Sequence, residues 1–466
     1  MNAPPIVPPR ESGAAGPPPG EPERSMRYSY AEGACVAIAA RINTGPLCTQ
    51  VALLLGARAL HLGWLAALGS LATLGSAVTA VFGHRLRSRR AYILLTALVG
   101  RSLWLLPAAL LLTRTPDRAQ LGVFLAVAFL AQALVHMAHN GWQSWITDLV
   151  PSARRGRFFG VRNAVAQVAE MAAAYAAGRW YDLGVAAGRP RATASLIYGV
   201  GAVAAALAMY CFARQWEPPV HRAPNAIPSA GWRVAWRDRA FRRLLIFCAA
   251  WAGAIGLVGP YWVAHMINYL KMSQATIAVY PLLFGAASLI SQPLWGRIAD
   301  RVGQRPVMVF TMAYIVFLPL MWMPARPGAL GFIWLDAAIS GVMWPGFNLA
   351  LFNLLLGTAP RSGRSAGFAL HSIACGAAAF GAGLAGGLVA HKLEGREWTF
   401  LGMRWINHHA LFCLSALLRI SLAPLALRLA DHRALRIRAI VALAGDKLSM
   451  SFAAGWRSVI GPRRRR

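Results

Sequence analysis

The stretch G-R-I-A-D-R-V-G-Q-R, residues 296–305, stands between one long apolar segment, residues 275–295, and another, residues 306–323. Ten residues dominated by Gly, Asp and Arg between two such segments predict a short cationic hairpin joining two membrane helices. Gly296 lets two helix ends approach closely, and Asp300 is placed to accept hydrogen bonds from a neighbouring helix N-terminus. Arg301 and Arg305 are cations suited to the cytoplasmic side of a membrane. The stretch reads as a structural latch, not an active site.

The composition agrees: 57% of residues are hydrophobic, mean hydropathy is +0.47 and 14% are charged, which describes an integral membrane protein. In a soluble chain a net charge of +31 would suggest nucleic acid as a partner. Here the arginines cluster between apolar segments, where cytoplasmic loops and anionic lipid headgroups account for them, so membrane lipids are the expected partners and nucleic acid is not. The six cysteines, Cys35, Cys48, Cys211, Cys248, Cys375 and Cys413, lie inside apolar segments without metal-ligand spacing. They read as small apolar fillers, and neither a metal nor a cofactor is expected.

Residues 1–27 hold eight of the 28 prolines and no apolar run of signal-peptide length, which predicts a disordered cytoplasmic tail. Twelve apolar stretches of membrane-spanning length follow: 31–55, 61–82, 91–113, 120–147, 158–178, 192–213, 243–268, 275–295, 306–323, 329–357, 365–390 and 407–430. Of the 47 Lys and Arg residues, 32 fall in the two tails and the even-numbered loops against 11 in the odd-numbered loops. That asymmetry puts both termini in the cytoplasm of a multi-pass protein of the cytoplasmic (inner) membrane.

The chain also reads as a duplication. The loop G-H-R-L-R-S-R-R, residues 83–90, stands where residues 296–305 stand in the second half, and P-S-A-R-R-G-R-F-F-G, residues 151–160, is echoed by P-R-S-G-R-S-A-G, residues 360–367. Residues 296–305 resemble the loop signature of the major facilitator superfamily, G-x-x-x-D-R-x-G-R/Q-R/K, matched at each defined position. The resemblance implies an all-α membrane fold of twelve transmembrane helices in two pseudo-symmetric six-helix bundles with the substrate site between them. On that reading residues 1–30 are the N-terminal tail, 31–213 and 243–430 the two bundles, 214–242 a cytoplasmic linker with an amphipathic helix, and 431–466 a basic cytoplasmic tail. It further implies a conformational latch of Gly296, Asp300, Arg301, Gly303 and Arg305 acting on the start of the fifth helix at Arg155 and Arg157. In the first copy Arg87 stands in place of the aspartate and the loop is two residues shorter, so no role is carried over to it. The segment W-Q-S-W-I-T-D-L-V-P, residues 142–151, with R-G-R-F-F-G, resembles a subgroup of bacterial members without naming a substrate.

Polar groups at bilayer depth are costly and face a bundle interior or a water-filled cavity. In the fourth span Gln132, His136, Asn140, Gln143 and Thr147 recur at helical spacing; the tenth carries Asp336, Ser340, Trp344 and Asn348, the seventh Tyr261, His265 and Asn268, and the first Arg41 and Thr44. The resemblance makes the first, fourth, seventh and tenth helices cavity-lining. The expected cavity residues are therefore Arg41, Thr44, His136, Asn140, Gln143, Tyr261, His265, Trp344 and Asn348, with Arg41 favouring an anionic group or balancing an internal carboxylate. The histidines also fit plain hydrogen bonding within a bundle, and the tryptophans plain packing. Arg101 and Arg419 are expected to pair inside their own bundles, Asp148 to pair with Arg89 or Arg90, and the glycines from Gly376 to Gly387 to allow close helix packing. Glu170, near the middle of the fifth span, needs a cation or a proton, and with Asp336 is a candidate for proton coupling.

These features predict a secondary transporter that moves a small organic solute by alternating access, ion-coupled with the proton favoured, and monomeric. No phosphate-binding loop points to ATP. The helix-five G-x-x-x-G-P-x-x-G-G run of the superfamily's antiporters is absent from residues 163–177. A non-transporting membrane protein, an assembly or pigment-delivery factor or a lipid-handling protein, is the competing class. An enzyme is not expected, since no nucleophile–base pair stands out.

Overall fold

The structure, a computed structural model, describes residues 20–82, 88–113, 118–151, 154–218, 229–359, 364–400 and 403–431. In chain order the helices are α1 (Glu21–Thr44), α2 (Pro46–Leu54), α3 (Ala59–Ala72), α4 (Gly75–Phe82), α5 (Arg89–Ser102), α6 (Leu105–Leu110), α7 (Arg118–Leu149), α8 (Arg155–Ala186), α9 (Pro190–Ala213) and α10 (Ser229–Arg237). They continue with α11 (Arg239–Gly256), α12 (Tyr261–Ala264) running into a π-helical turn (His265–Tyr269), α13 (Gln274–Val302), α14 (Gln304–Ile315), α15 (Leu318–Met321), α16 (Gly331–Thr358), α17 (Arg364–Lys392), α18 (Asn407–Ser421) and α19 (Ala423–Leu427). A short antiparallel pair, β1 (Trp398–Phe400) with β2 (Met403–Trp405), joins α17 to α18 and is the exception to the all-helical expectation.

Ten helical segments among the described residues are long and apolar enough to cross a membrane. They coincide with the second to fourth, sixth and seventh to twelfth expected spans. The first and fifth spans correspond to α1 with α2 and to α8, which have the length but carry charges: Glu32 and Arg41 on one, Arg162 and Glu170 on the other. The residues that make these two helices polar are the ones that pair with each other, as described below.

The described residues begin inside the tail expected over residues 1–30. Helix α1 begins at Glu21, with a proline in its first turn beside Glu21 and Glu23, and it buries Ser25, Ser29 and Glu32. Proline tolerates the first turn because its missing N–H has no helical partner there, and acids complement the positive helix end. Residues 1–19, the first signature loop at 83–87, part of the linker at 219–228, the segment 360–363 and the basic tail 432–466 lie outside the described residues.

The hairpin expected over residues 296–305 is mostly helix: α13 runs to Val302 and the turn is concentrated at Gly303, whose φ of 95° lies in the left-handed region that side chains avoid. Gly296 faces open space, so it does not bring two helix ends together. A run of Gly, Arg and Asp mimics a loop in composition, yet an internal helical turn tolerates every one of them.

The chain forms two compact units. One comprises Met1–Pro228, Gly259–Val279 and Phe380–His391; the other comprises Ser229–Val258, Tyr280–Ala379 and Lys392–Arg466. The division does not follow the expected boundaries, because α12, the start of α13 and the end of α17 group with the N-terminal unit. Backbone approach explains it there: a Cβ on Gly63 of α3 would sit 2.5 Å from Gly387 Cα of α17, and Tyr261 Oη donates to the Ala59 carbonyl at 2.8 Å. The core of this unit includes Trp145, Phe158 and Phe212, and that of the other Phe247, Trp251 and Phe347.

Candidate functional site

The site in the N-terminal unit is built on a break in a membrane-length helix. Helix α1 stops at Thr44, Gly45 is extended (φ −80°, ψ −163°) and Pro46 starts α2. Pro46 has no N–H to continue the α1 ladder, so the chain cannot remain one α-helix there. The break, the small-residue face of α8 and the start of α13 border a small, partly open cavity, lined by Arg41, Ile42, Pro46 and Leu47, by Ala173, Ala174, Ala177 and Gly178, and by Gln274 and Ala278. Arg41, in the last turn of α1, is the charged residue in this wall. One of its terminal nitrogens lies 3.7 Å from Glu170 Oε1; the Arg41 side chain is 17% exposed and that of Glu170 48%. Arg41 Nε is buried without a hydrogen-bond partner among the described residues.

Glu170 sits halfway along α8. Ala173, Ala174, Ala177 and Gly178 follow it at offsets of three, four, seven and eight residues, which places all five on one helical face. Asn163, Gln167 and Glu170, spaced by four and three residues, form a polar edge of α8 that continues as a strip of small apolar residues in the cavity wall.

One end of the cavity is tied by a carboxylate that the sequence reading missed. Asp182, in the last turns of α8, accepts from the backbone N–H of Gln274 through Oδ1 and of Ala275 through Oδ2, both at 2.8 Å. Two of the amides that a helix N-terminus leaves without partners are thus satisfied from another helix. The Gln274 side chain donates to Gln50 Oε1 of α2 at 3.0 Å. Gly178 makes the approach possible, since a Cβ there would stand 2.7 Å from the Gln274 carbonyl oxygen. The available signal was a glycine one turn before an aspartate at the end of a polar helix, which says nothing about the identity of its partner.

The profile of the Major Facilitator Superfamily matches residues 33–383, three quarters of the chain. The chain belongs to the Major Facilitator Superfamily. Solved structures of the same fold include the nucleoside transporter NupG (13% identity, 88% of this chain and 98% of that chain, TM-score 0.62). The inward-open xylose transporter XylE from E. coli is also similar (13%, 91% and 99%, 0.64), as is a bacterial homologue of the human lysosomal transporter Spinster (14%, 88% and 95%, 0.57). No curated protein sequence matches significantly. Membership in this superfamily, with the helices long and apolar enough to cross a membrane, makes the chain a multi-pass membrane protein of a transporter family.

Against the superfamily expectation, the candidate cavity residues scatter. Arg41 lines the described cavity. Thr44 is exposed and donates back to the Ala40 carbonyl at 2.8 Å. His136 and Asn140 are half-buried on α7, and Gln143 is exposed and bonded to His139 at 3.1 Å, so this stripe is accessible but lies outside the cavity. Tyr261 and His265 are fully buried, which corrects their assignment to an open wall. The Tyr261 hydroxyl is used by the Ala59 carbonyl, and the His265 ring stacks on Tyr269 with centroids 4.9 Å apart. Helical period places a residue on a face without saying what covers that face.

A second ion pair joins the same two helices. Arg162 of α8 donates to Glu32 Oε2 of α1 at 2.8 Å, with side chains 12% and 6% exposed, and its guanidinium lies 4.1 Å from the centre of the Trp142 ring. Arg89 pairs with Asp148 at 2.6 Å as expected and also donates to Ser144. The Arg101 guanidinium approaches Met209 Sδ in its own unit.

In the C-terminal unit Asp336 is 2% exposed. It accepts from Tyr280 Oη at 2.6 Å, from Trp322 Nε1 at 2.8 Å and from Ser340 Oγ at 3.3 Å. Trp344 packs against Phe347 and Trp251, and Asn348 is exposed. Arg419 is buried and donates to the Ile315 carbonyl at 3.3 Å, within its own unit as expected. Asp300 and Arg301 are exposed on the last turn of α13. The carboxylate that caps α14 is Asp431, which accepts from the backbone N–H of Gln304 and Arg305 at 2.8 Å each, while an Arg305 terminal nitrogen donates to the Leu429 carbonyl at 3.2 Å. In the other unit Arg155 donates to the Val150 and Thr147 carbonyls at the end of α7, and Arg157 is exposed.

Proposed function

We propose that this protein is a secondary active transporter that moves a small organic solute across the cytoplasmic membrane by alternating access, coupled to protons through Glu170. The observation that carries the reading is the loose Arg41–Glu170 pair, 3.7 Å apart, beside a cavity at a broken membrane helix. A buried cation without full hydrogen bonding is expensive as a purely structural element, so it is kept where something binds. Of the two proton-coupling candidates Glu170 is the better placed. Asp336 is buried and accepts from three neutral donors, whereas Glu170 is half-exposed and pairs with Arg41 of the cavity wall.

The remaining expectations form part of the same proposal: two six-helix bundles related by duplication, both termini in the cytoplasm, a monomer, and a latch in which Asp300 engages the Arg155–Arg157 segment during the transport cycle. An Asp300→Asn variant that transports at the wild-type rate removes the latch from this account. Proteoliposomes with an imposed pH gradient test the coupling. Glu170→Gln is expected to abolish gradient-driven accumulation while retaining solute exchange, and undiminished accumulation by that variant rules out Glu170 as the coupling acid.

A further inference from the structure

We infer that the solute is a small organic monocarboxylate, whose carboxylate takes Arg41 from Glu170 and whose compact body lies against the alanine face of α8. This deepens the transporter reading and rests on it. Arg41 is the charged side chain in a wall otherwise built of Ile42, Pro46, Leu47 and alanines, with the Gln274 amide engaged by Gln50. An Arg fork is matched to a planar carboxylate and has an unused buried Nε to offer, which a 3.7 Å contact to Glu170 leaves unsatisfied. The break contributes on the same side. Helix α2, nine residues long, begins at Pro46 and Leu47, both in the cavity wall, so its positive end faces the charge that Arg41 would hold. The opposite wall is Ala173, Ala174, Ala177 and Gly178, residues that leave room for a few carbon atoms and offer no side-chain hydrogen bond to a polyol.

A substrate carboxylate bound in fork geometry on Arg41 competes with a Glu170 contact that is already long, at 3.7 Å. When the substrate carboxylate binds Arg41, Glu170 loses that cation, and in the proton-coupled cycle proposed above it carries one proton across with the substrate. Among the described residues, Arg162 and Arg154 are engaged by Glu32 and Glu23 of α1, and Arg191 of α9 donates to the Thr113 carbonyl. One monoanion and one proton then move together, so the charge carried per cycle is zero. Accumulation should follow the pH gradient and be indifferent to membrane voltage.

Pyruvate and pyruvamide, equal in size and different in charge, are the probes. In thermal-shift titrations of the full-length protein at pH 7 and constant ionic strength, pyruvate is expected to raise the Tm of the wild type and pyruvamide is not. Glu170→Gln, which removes the competing carboxylate, should lower the half-saturating pyruvate concentration by on the order of five-fold, and Arg41→Gln should abolish the effect. Should Arg41→Gln fail to fold, Arg41→Lys is expected to bind more weakly than wild type and the Glu170→Gln gain still decides. Equal stabilisation by pyruvamide, an unchanged response in the Arg41 variants, or no pyruvate response in either wild type or Glu170→Gln overturns the inference. Flux in proteoliposomes separates the two readings. Pyruvate binding without pyruvate flux removes the transporter reading and leaves the carboxylate site; flux of a neutral solute with pyruvate inert does the reverse.

Discussion

Asp336 and Glu170 are both carboxylates on membrane-length helices, and the protein accommodates them in opposite ways. Asp336 is 2% exposed and receives three neutral donors at 2.6, 2.8 and 3.3 Å. Glu170 has a half-exposed side chain and one cation at 3.7 Å. A carboxylate with three donors is locked, because any departure leaves buried hydroxyl and indole N–H groups without acceptors. A carboxylate on one distant cation can exchange partners at small cost. The difference teaches that burial and membrane depth alone do not identify a working acid; the number of donors that would be orphaned by its departure does.

If that contrast is right, Asp336→Ala has the largest structural effect. Tyr280 and Trp322 lose their acceptor, at a cost of about 3 kcal/mol and a Tm lowered by several degrees, with Asp336→Asn milder. Unchanged melting of Asp336→Ala would erase the contrast. Asp182 lies between the two extremes. Removing its carboxylate uncaps α13, costs about 1 kcal/mol, and is expected to speed amide exchange at Gln274 and Ala275 roughly ten-fold. Hydrogen-exchange mass spectrometry on peptides spanning α13 reads this directly, and equal exchange in wild type and Asp182→Ala means the clamp contributes nothing. For Glu170→Gln the stability change should stay below about 1 kcal/mol because the pair is long and open to solvent. A loss as large as that of Asp336→Ala would make Glu170 structural and break the comparison from its other side.

The smallest effect belongs to Glu23, outside the membrane segments. Its own backbone hydrogen bonding, and then the Arg154 guanidinium at 2.7 Å, hold its carboxyl below the ordinary value. With the folded-state pKa depressed, the stabilisation it gives is present above the ordinary glutamate range and is lost as pH falls through the lowered value. Arg154→Ala should move the Glu23 titration part of the way back up, which carboxyl-detected NMR of selectively labelled protein would follow; an unmoved midpoint would leave the backbone contribution as the whole cause.

Much of the architecture could be read from spacing. The expected spans coincide with helices, Arg89 and Asp148 pair as expected, and Glu170, expected to need a cation or a proton, has Arg41 as its cation. What could not be read is the identity of neighbours brought in from far along the chain. Asp182 and Asp431 cap helices that start 92 and 127 residues away, and no periodicity records such a partner. Tyr261 and His265 sit on the right helix but are covered by groups that the helix itself does not predict. Gly296 failed for a different reason: composition suggested a loop where helix propensity and neighbouring apolar residues carried α13 through to Val302.

The two ion pairs that join α1 to α8 also bear on how the chain is made. Glu32 and Arg41 leave the ribosome well before their partners, since Arg162 follows Glu32 by 130 residues. At about 5–20 residues per second, the first helix waits on the order of ten seconds for the cations and anions that match it. A lone charge near the centre of a membrane helix costs about 2.5–3.5 kcal/mol to insert, so during that interval the first helix belongs at the edge of the insertion machinery, not in lipid. A chain truncated before residue 155 should therefore integrate its first helix less completely than the same truncation carrying Glu32→Leu and Arg41→Leu, and the deficit should vanish once α8 is included. The charges that equip the folded protein for its work would then set the order in which its helices are allowed to leave for the bilayer.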